Sequence, residues 1–133
     1  MLFRSNFLEA KKMKRINNYF PENVNIPGNA KINVKNLSSP RTGEPVKNQF
    51  CIRIPLAGIT RFQSYETTCL VYDHNSGVLT VFPEAFGYSS TTSKYSRAFL
   101  RDELGLLDSE IDEIRKIAKS ESFGRDCPLF IQC

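Results

Sequence analysis

Histidine, the usual base for a serine or cysteine nucleophile, occurs only once in this chain. Its one histidine, His74, lies in a turn-like Asp-His-Asn-Ser-Gly segment, where such side chains are more often solvent-exposed than catalytic. A serine or cysteine nucleophile generally needs a neighbouring base. The phosphate-binding loops G-x-x-x-x-G-K-S/T and G-x-G-x-x-G and the zinc-hydrolase pattern H-E-x-x-H do not occur, so these chemistries have no motif. The sequence predicts a protein that is not an enzyme.

The cysteines argue against a metal centre. They are Cys51, Cys69, Cys127 and Cys133, and no two of them have the two-residue spacing of a classical zinc site. Cys51 and Cys69 lie in strand-like runs, where free thiols pack as small hydrophobic side chains. We therefore expect reduced thiols, no metal and no cofactor.

A hydroxyl-rich segment at the start of a predicted helix is a candidate anion-binding site. The first N–H groups of a helix have no intrahelical partner, and the positive end of the helix dipole lies there. The candidate anion or phosphate contacts are Ser89, Thr91, Thr92, Lys94 and Arg97. The sequence favours a simpler interpretation, in which Thr91 or Thr92 caps the helix for about 1 kcal/mol.

Positive charge is concentrated in the first third of the chain. Residues 1–48 contain nine Lys or Arg against three Asp or Glu, whereas residues 49–133 contain nine against eleven. Such a basic stretch can follow a phosphate backbone, although charge runs are usually solvated faces. The candidate nucleic-acid contacts are Lys11, Lys12, Lys14, Arg15, Lys31 and Lys35.

Size and hydropathy indicate one soluble globular domain. The 133 residues are 41% hydrophobic and 24% charged, which is ordinary for such a domain. The apolar runs fall far short of the roughly 20 residues of a membrane helix. Arg4 and Asn6 interrupt the apolar start, which argues against a signal peptide. We expect a cytoplasmic protein of a bacterial host cell.

The N-terminal 30 residues are predicted to form a helix and a linker. Apolar residues recur at near-helical spacing from Phe3 to Ile16, which is typical of an amphipathic helix. Met13 within it is equally an alternative translation start. Residues 21–28 contain two prolines and a glycine and are typical of a linker or ordered loop. The predicted domain boundaries are therefore 1–30, helix and linker, and 31–133, a single α+β domain.

The remaining chain predicts strands followed by helices. Period-two alternation places five strands at about 31–37, 49–54, 60–65, 67–73 and 78–82. Two helices follow around Gly105, and the second has acids in its first turns and Arg115, Lys116 and Lys119 in its last, which suits the helix dipole. The apolar tail 128–131 adds a strand or docks on the core. The predicted fold is α+β, an antiparallel sheet of about five strands with an N-terminal helix and a C-terminal helical pair packed on one face.

These elements are compatible with two modes of nucleic-acid binding, but a simpler structural role is favoured for each. The helical pair fits a helix-turn-helix, but acids in its second helix would meet DNA phosphates, so a helical hairpin covering the sheet is favoured. Aromatic residues on the strands fit a base-stacking platform, but core packing is the more common role. They are Phe50, Phe62, Tyr65, Tyr72 and Phe82.

Three segments together form a recognisable pattern. They are Asn48-Gln49-Phe50, Phe62-Gln63-Ser64-Tyr65, and a Tyr-Ser-x-Thr-Thr-x-Lys-Tyr-x-x-x-Phe-Leu run from Tyr88 to Leu100. In combination they resemble a group of small, uncharacterised proteins of bacteriophages and mobile elements, over residues 31–104. The resemblance implies an accessory protein of a phage or integrated element, and it carries over no catalytic residue.

Two functions follow as expectations. The first is a small non-enzymatic accessory protein that binds a host or element-encoded protein. The second is a nucleic-acid-binding regulator that uses the basic N-terminal third. Clustering of the six basic residues on one folded face would favour the regulator.

Overall fold

The computed structural model describes residues 14–15, 31–87, 89–121 and 126–131. The strands there are β1 (Lys14–Arg15), β2 (Asn33–Ser38), β3 (Pro45–Ile54), β4 (Ile59–Ser64), β5 (Thr67–Asp73), β6 (Val78–Val81) and β7 (Cys127–Phe130). The helices are α1 (Glu84–Gly87), α2 (Ser90–Asp102) and α3 (Asp108–Glu121). No helix among these residues is long and apolar enough to cross a membrane.

All described strands join one antiparallel sheet, in the order β1-β7-β6-β5-β4-β3-β2. The α+β class and the five-strand meander β2–β6 are confirmed. The sheet is wider than predicted, because the tail pairs with β6 as β7 and Lys14–Arg15 pair with β7. The short helix α1 was not predicted, since four residues carry too little periodicity to show one.

The N-terminal helix prediction is wrong at the two residues where it can be compared. Lys14 and Arg15 pair with Phe130 and Leu129 as a two-residue strand. The outer edge of β7 presents backbone N–H and C=O groups that need partners, and this pairing overrides local helical periodicity. The rest of the predicted helix and linker, in residues 1–13 and 16–30, lies outside the described residues.

The helices pack on one face of the sheet, as predicted. Phe99 of α2 stacks on Phe62 of β4 with ring centroids 5.8 Å apart, and neither side chain is exposed. Ile111 and Ile114 of α3 are also fully buried in this core. Burial of these apolar faces against one another is what holds the layers together.

The turn between α2 and α3 depends on a left-handed glycine. Gly105 has φ = +72°, and the N–H of Leu106 donates back to the carbonyl of Leu100 at 3.0 Å. Residues with a side chain adopt this conformation at a cost. At the start of α3, the carboxylate of Glu110 accepts from the N–H of Leu107 at 2.8 Å, which satisfies a free donor of the helix.

Removing the Phe99 ring should test this core directly. We expect Phe99→Ala to lower the free energy of unfolding by about 3–5 kcal/mol, because it leaves a cavity against Phe62. Denaturant unfolding measures the change. Leu107→Ala is the control, since Leu107 is 37% exposed and its loss should cost far less. Equal shifts in the two midpoints would contradict this packing.

Candidate functional site: a cationic cleft beside helix α2

Helix α2 begins with a serine cap. Ser89 has extended backbone (φ −140°, ψ 154°), and its Oγ accepts a hydrogen bond from the N–H of Thr92 at 3.0 Å. Capping is therefore confirmed, but the cap is Ser89 and not Thr91 or Thr92. The reason is geometric: a cap residue lies just outside the helix and reaches the N–H three residues on, and Thr92 is itself that third residue.

The start of α2 is fixed from two further sides. The hydroxyl of Ser64 on β4 lies 3.3 Å from that of Thr92. The buried hydroxyl of Ser96 donates to the carbonyl of Ala85 in α1 at 2.7 Å. A buried hydroxyl without a partner is costly, so these contacts hold both the position and the rotation of the helix.

A polar chain fixes the other end of α2. The Glu103 carboxylate, only 10% exposed, accepts from Arg53 at 2.7 Å and from Lys35 at 3.1 Å. Arg53 also donates to Thr60 Oγ1 at 3.3 Å, and that hydroxyl lies 2.8 Å from His74 Nε2. Burial alone would raise the pKa of Glu103, but the hydrogen bonds from Arg53 and Lys35 outweigh burial and hold it below its usual value. The C-terminal end of α2 is thus tied to the sheet by charge-assisted hydrogen bonds.

Cys51 and Cys69 are buried free thiols. Burial raises the pKa of Cys51 to about 11, with a further contribution from Glu103, and burial raises that of Cys69 to about 11 as well. The nucleophilic form of cysteine is the thiolate. These two side chains therefore pack as small hydrophobic groups, as predicted. Within the described residues, no three His, Cys, Asp or Glu side chains come together as metal ligands.

A cleft of about 550 Å³ lies between the start of α2 and the last turns of α3. Phe86 and Gly87 of α1 close one side of it. Its polar lining consists of three hydroxyls and four cations, Ser89, Ser90, Ser93, Lys94, Arg97, Arg115 and Lys119. None of the described residues that line it is acidic, so the cleft is a concentrated positive surface.

Within the described residues, most of this positive charge has no carboxylate partner. Arg97 forms ion pairs with Asp108, at 3.5 Å, and with Asp112. Lys94 Nζ lies 5.4 Å from the centroid of the Tyr95 ring, a weak cation–π contact. Lys94, Arg115 and Lys119 form no ion pair with any residue that the structure describes. All three residues are exposed.

The predicted anion contacts fall partly in this cleft. Ser89, Lys94 and Arg97 line it, whereas Thr92 is turned towards Ser64 and Thr91 is exposed elsewhere. Sequence reasoning missed Ser90, Ser93, Arg115 and Lys119. The i, i+4 spacing of Arg115 and Lys119 marks one helix face, but only the fold shows that this face meets the start of α2.

The predicted nucleic-acid contacts that the structure describes lie at separate places in the sheet. Lys14 and Arg15 lie in β1 at one edge of the sheet, and Lys35 lies in β2 at the other, with five strands between them. Lys35 is also paired with Glu103. Lys31 is exposed just before β2, and Lys11 and Lys12 lie outside the described residues.

The three segments that carried the sequence resemblance do meet in space. The N–H of Tyr65 donates to the carbonyl of Asn48 at 2.6 Å, and Gln49 pairs with Ser64 across β3 and β4. Through Ser64 the group reaches Thr92 at the start of α2. Asn48 (φ 65°) and Tyr65 (φ 57°) are the non-glycine residues of the described region with left-handed backbone. The turn at Tyr65, whose side chain is 59% exposed, is therefore strained.

Comparison with known proteins gives one match. Residues 32–116 match a family described as "Family of unknown function (DUF8033)". No curated protein and no solved structure matches the chain.

Stability should fall on acidification because of His74. His74 is exposed, but partial desolvation of its ring, and then the nearby charge of Arg53, hold its pKa below the ordinary value, against a smaller opposite effect of Asp73. The unfolded chain, with an imidazole pKa of about 6.5, then binds more protons than the folded one, so stability is complete above that value and decreases as pH falls through it. His74 is the chain's only histidine.

We expect the free energy of unfolding to decrease as pH is lowered from about 7 to 5, and to stay flat over this range in His74→Gln. Urea titrations at several pH values measure both. The glutamine keeps an acceptor for Thr60. A wild-type profile that is flat, or a variant with the same slope, would contradict the assignment.

Because the backbone at Tyr65 is strained, the glycine variant should be more stable than the alanine variant there, which reverses the usual order of stability. Because φ is 57° there, Tyr65→Gly should be about 1 kcal/mol more stable than Tyr65→Ala. Glu66, the other turn residue, is the matched control, since its φ is not positive and glycine should there be less stable than alanine. Thermal unfolding of the four variants measures the order. The same order at both positions would argue against strain.

Proposed function

The chain belongs to DUF8033, a family of unknown function, and we propose that it is a non-enzymatic binding protein whose cationic cleft takes an acidic segment of a partner protein. The observation that carries this proposal is the set of three cations, Lys94, Arg115 and Lys119, that line one cleft and form no ion pair with a carboxylate of the described residues. Cationic side chains that converge on a cleft attract anionic groups and steer their approach.

Carboxylates are the anions that this surface already accommodates. Arg97, on the wall of the cleft, binds the side chains of Asp108 and Asp112. The hydroxyls of Ser90 and Ser93 add donors beside the cations. A partner that presents two or three Asp or Glu side chains would meet both charge and hydrogen-bond complementarity here.

One feature favours a protein partner over a nucleic acid. Among the described basic residues predicted to contact nucleic acid, Lys14 and Arg15 lie at one edge of the sheet and Lys35 lies at the other. The proposed role as an accessory protein of a phage or mobile element is supported by the sequence resemblance.

The burial of the potentially nucleophilic side chains supports the proposal that the protein is not an enzyme. The thiols of Cys51 and Cys69 are buried and have raised pKa values. Thr60, beside the only histidine, is 2% exposed and is occupied by Arg53. A nucleophile must reach its substrate, and all three of these side chains are buried.

Charge reversal in the cleft tests the proposal. We expect a fluorescein-labelled oligoglutamate peptide to bind the wild-type chain, measured by fluorescence anisotropy. Arg115→Glu/Lys119→Glu should weaken binding by about tenfold or more, equivalent to about 1.4 kcal/mol. The matched control is Lys31→Glu/Lys47→Glu, which makes the same change in net charge at exposed residues outside the cleft and should change binding much less.

Three results would contradict the proposal. The first is no binding of oligoglutamate beyond that of an oligoglutamine peptide. The second is an equal loss in the two double variants, which would mean that net charge alone attracts the peptide. The third is tighter binding of duplex DNA than of oligoglutamate at the same salt concentration, which would favour the nucleic-acid regulator.

A further inference from the structure

One cation of the cleft is already bound by the protein's own carboxylates. Arg97 Nη1 lies 3.5 Å from a carboxylate oxygen of Asp108, and Arg97 Nη2 donates to the carboxylate of Asp112. The two acids lie four residues apart in α3 and therefore on the same side of that helix. Because Arg97 also lines the cleft, its guanidinium lies within reach both of α3 and of an acidic ligand.

These ion pairs are exposed and can open at small cost. The side chain of Asp108 is 73% exposed, that of Asp112 is 62% exposed and that of Arg97 is 33% exposed. Exposed ion pairs contribute little to stability, since water solvates the separated charges. A carboxylate of the ligand would replace the hydrogen bonds that Arg97 gives up, so the guanidinium stays paired through the exchange.

Other contacts hold α3 in place when these pairs open. Ile111 and Ile114 anchor the helix with fully buried side chains. The carboxylate of Glu110 accepts from the N–H of Leu107 and fixes the first turn. The walls of the cleft would therefore keep their positions while Arg97 turns from α3 to a ligand.

We propose that Arg97 is a fourth cationic contact for the ligand of the cleft, and that Asp108 and Asp112 are an internal competitor for it. This inference rests on the proposed function and describes how binding at the cleft is controlled. The three other cations of the cleft attract the acidic segment first, because none of them pairs with a carboxylate of the described residues. Arg97 joins them when a ligand carboxylate displaces those of α3.

The internal competitor makes the cleft selective for a segment with several acids. Carboxylates attached to α3 have a high effective concentration at Arg97, so a free carboxylate displaces them poorly. A segment that the three other cations already hold has a high effective concentration there as well. Arg97 therefore adds affinity for a ligand with several acids and adds little for one with a single acid.

Neutralising the internal competitor should tighten binding. We expect Asp108→Asn/Asp112→Asn to lower the Kd for fluorescein-labelled oligoglutamate by about threefold or more, the size expected for release from exposed ion pairs. Fluorescence anisotropy measures the change. The matched control is Asp102→Asn/Glu66→Gln, which makes the same change in net charge at exposed residues outside the cleft lining. An equal gain in the two double variants would overturn the proposal.

A double-mutant cycle separates exchange at Arg97 from the effect of charge alone. In the Arg97→Gln background, the same two Asp→Asn changes should tighten binding about threefold less, because only their effect on the overall charge remains. In the wild-type chain, saturating oligoglutamate should also move the side-chain ¹³C carboxylate signals of Asp108 and Asp112 towards the values that they have in Arg97→Gln.

The outcomes distinguish this inference from the proposed function. The internal competitor is overturned if the Asp→Asn changes do not tighten binding, if they tighten it equally with and without Arg97, or if the two aspartate signals stay unmoved at saturation. The proposed function stands in each of these cases when Arg115→Glu/Lys119→Glu still weakens the binding of oligoglutamate. Absence of binding to both the wild type and Asp108→Asn/Asp112→Asn would overturn both.

Discussion

The attachment of α2 to the sheet is the constraint on which the rest of the described structure depends. Three contacts are spaced along this helix: Ser64 with Thr92 at its start, Phe62 with Phe99 in its middle, and Arg53 with Glu103 just past its end. All three come from β3 and β4. The middle contact contributes apolar burial, and the two polar contacts fix rotation and position.

The cleft follows from that attachment. With the rotation of α2 set, Ser90, Ser93 and Lys94 face away from the sheet and towards α3. Arg97 then pairs with Asp108 and Asp112 and draws the start of α3 alongside. The last turns of α3 consequently place Arg115 and Lys119 beside the start of α2, where their charges add to that of Lys94. A buried core and one surface ion-pair cluster therefore create an open basic surface.

Sequence reasoning recovers the parts of this arrangement that depend on local periodicity. The alternation from Ile32 to Phe82 and the helical spacing after Ser89 gave the meander, both long helices and the side of α2 that enters the core. It failed where tertiary pairing decides the outcome: Lys14 and Arg15 are helical by pattern but pair with the edge of β7. For the same reason, the sequence identified only some of the residues that line the cleft. Ser89, Lys94 and Arg97 belong to one local motif, whereas Arg115 and Lys119 join them only through the packing of α3.

The proposed function requires the cleft between α2 and α3 to be the binding surface. An NMR titration of the ¹⁵N-labelled chain with unlabelled oligoglutamate peptide, following every backbone amide, locates that surface. Binding in the cleft should give saturable shifts concentrated at residues 89–97 and 115–119, with β2 and the β4–β5 turn unaffected. Shifts spread over all exposed lysines and arginines, or centred on β1 and β2, would contradict it.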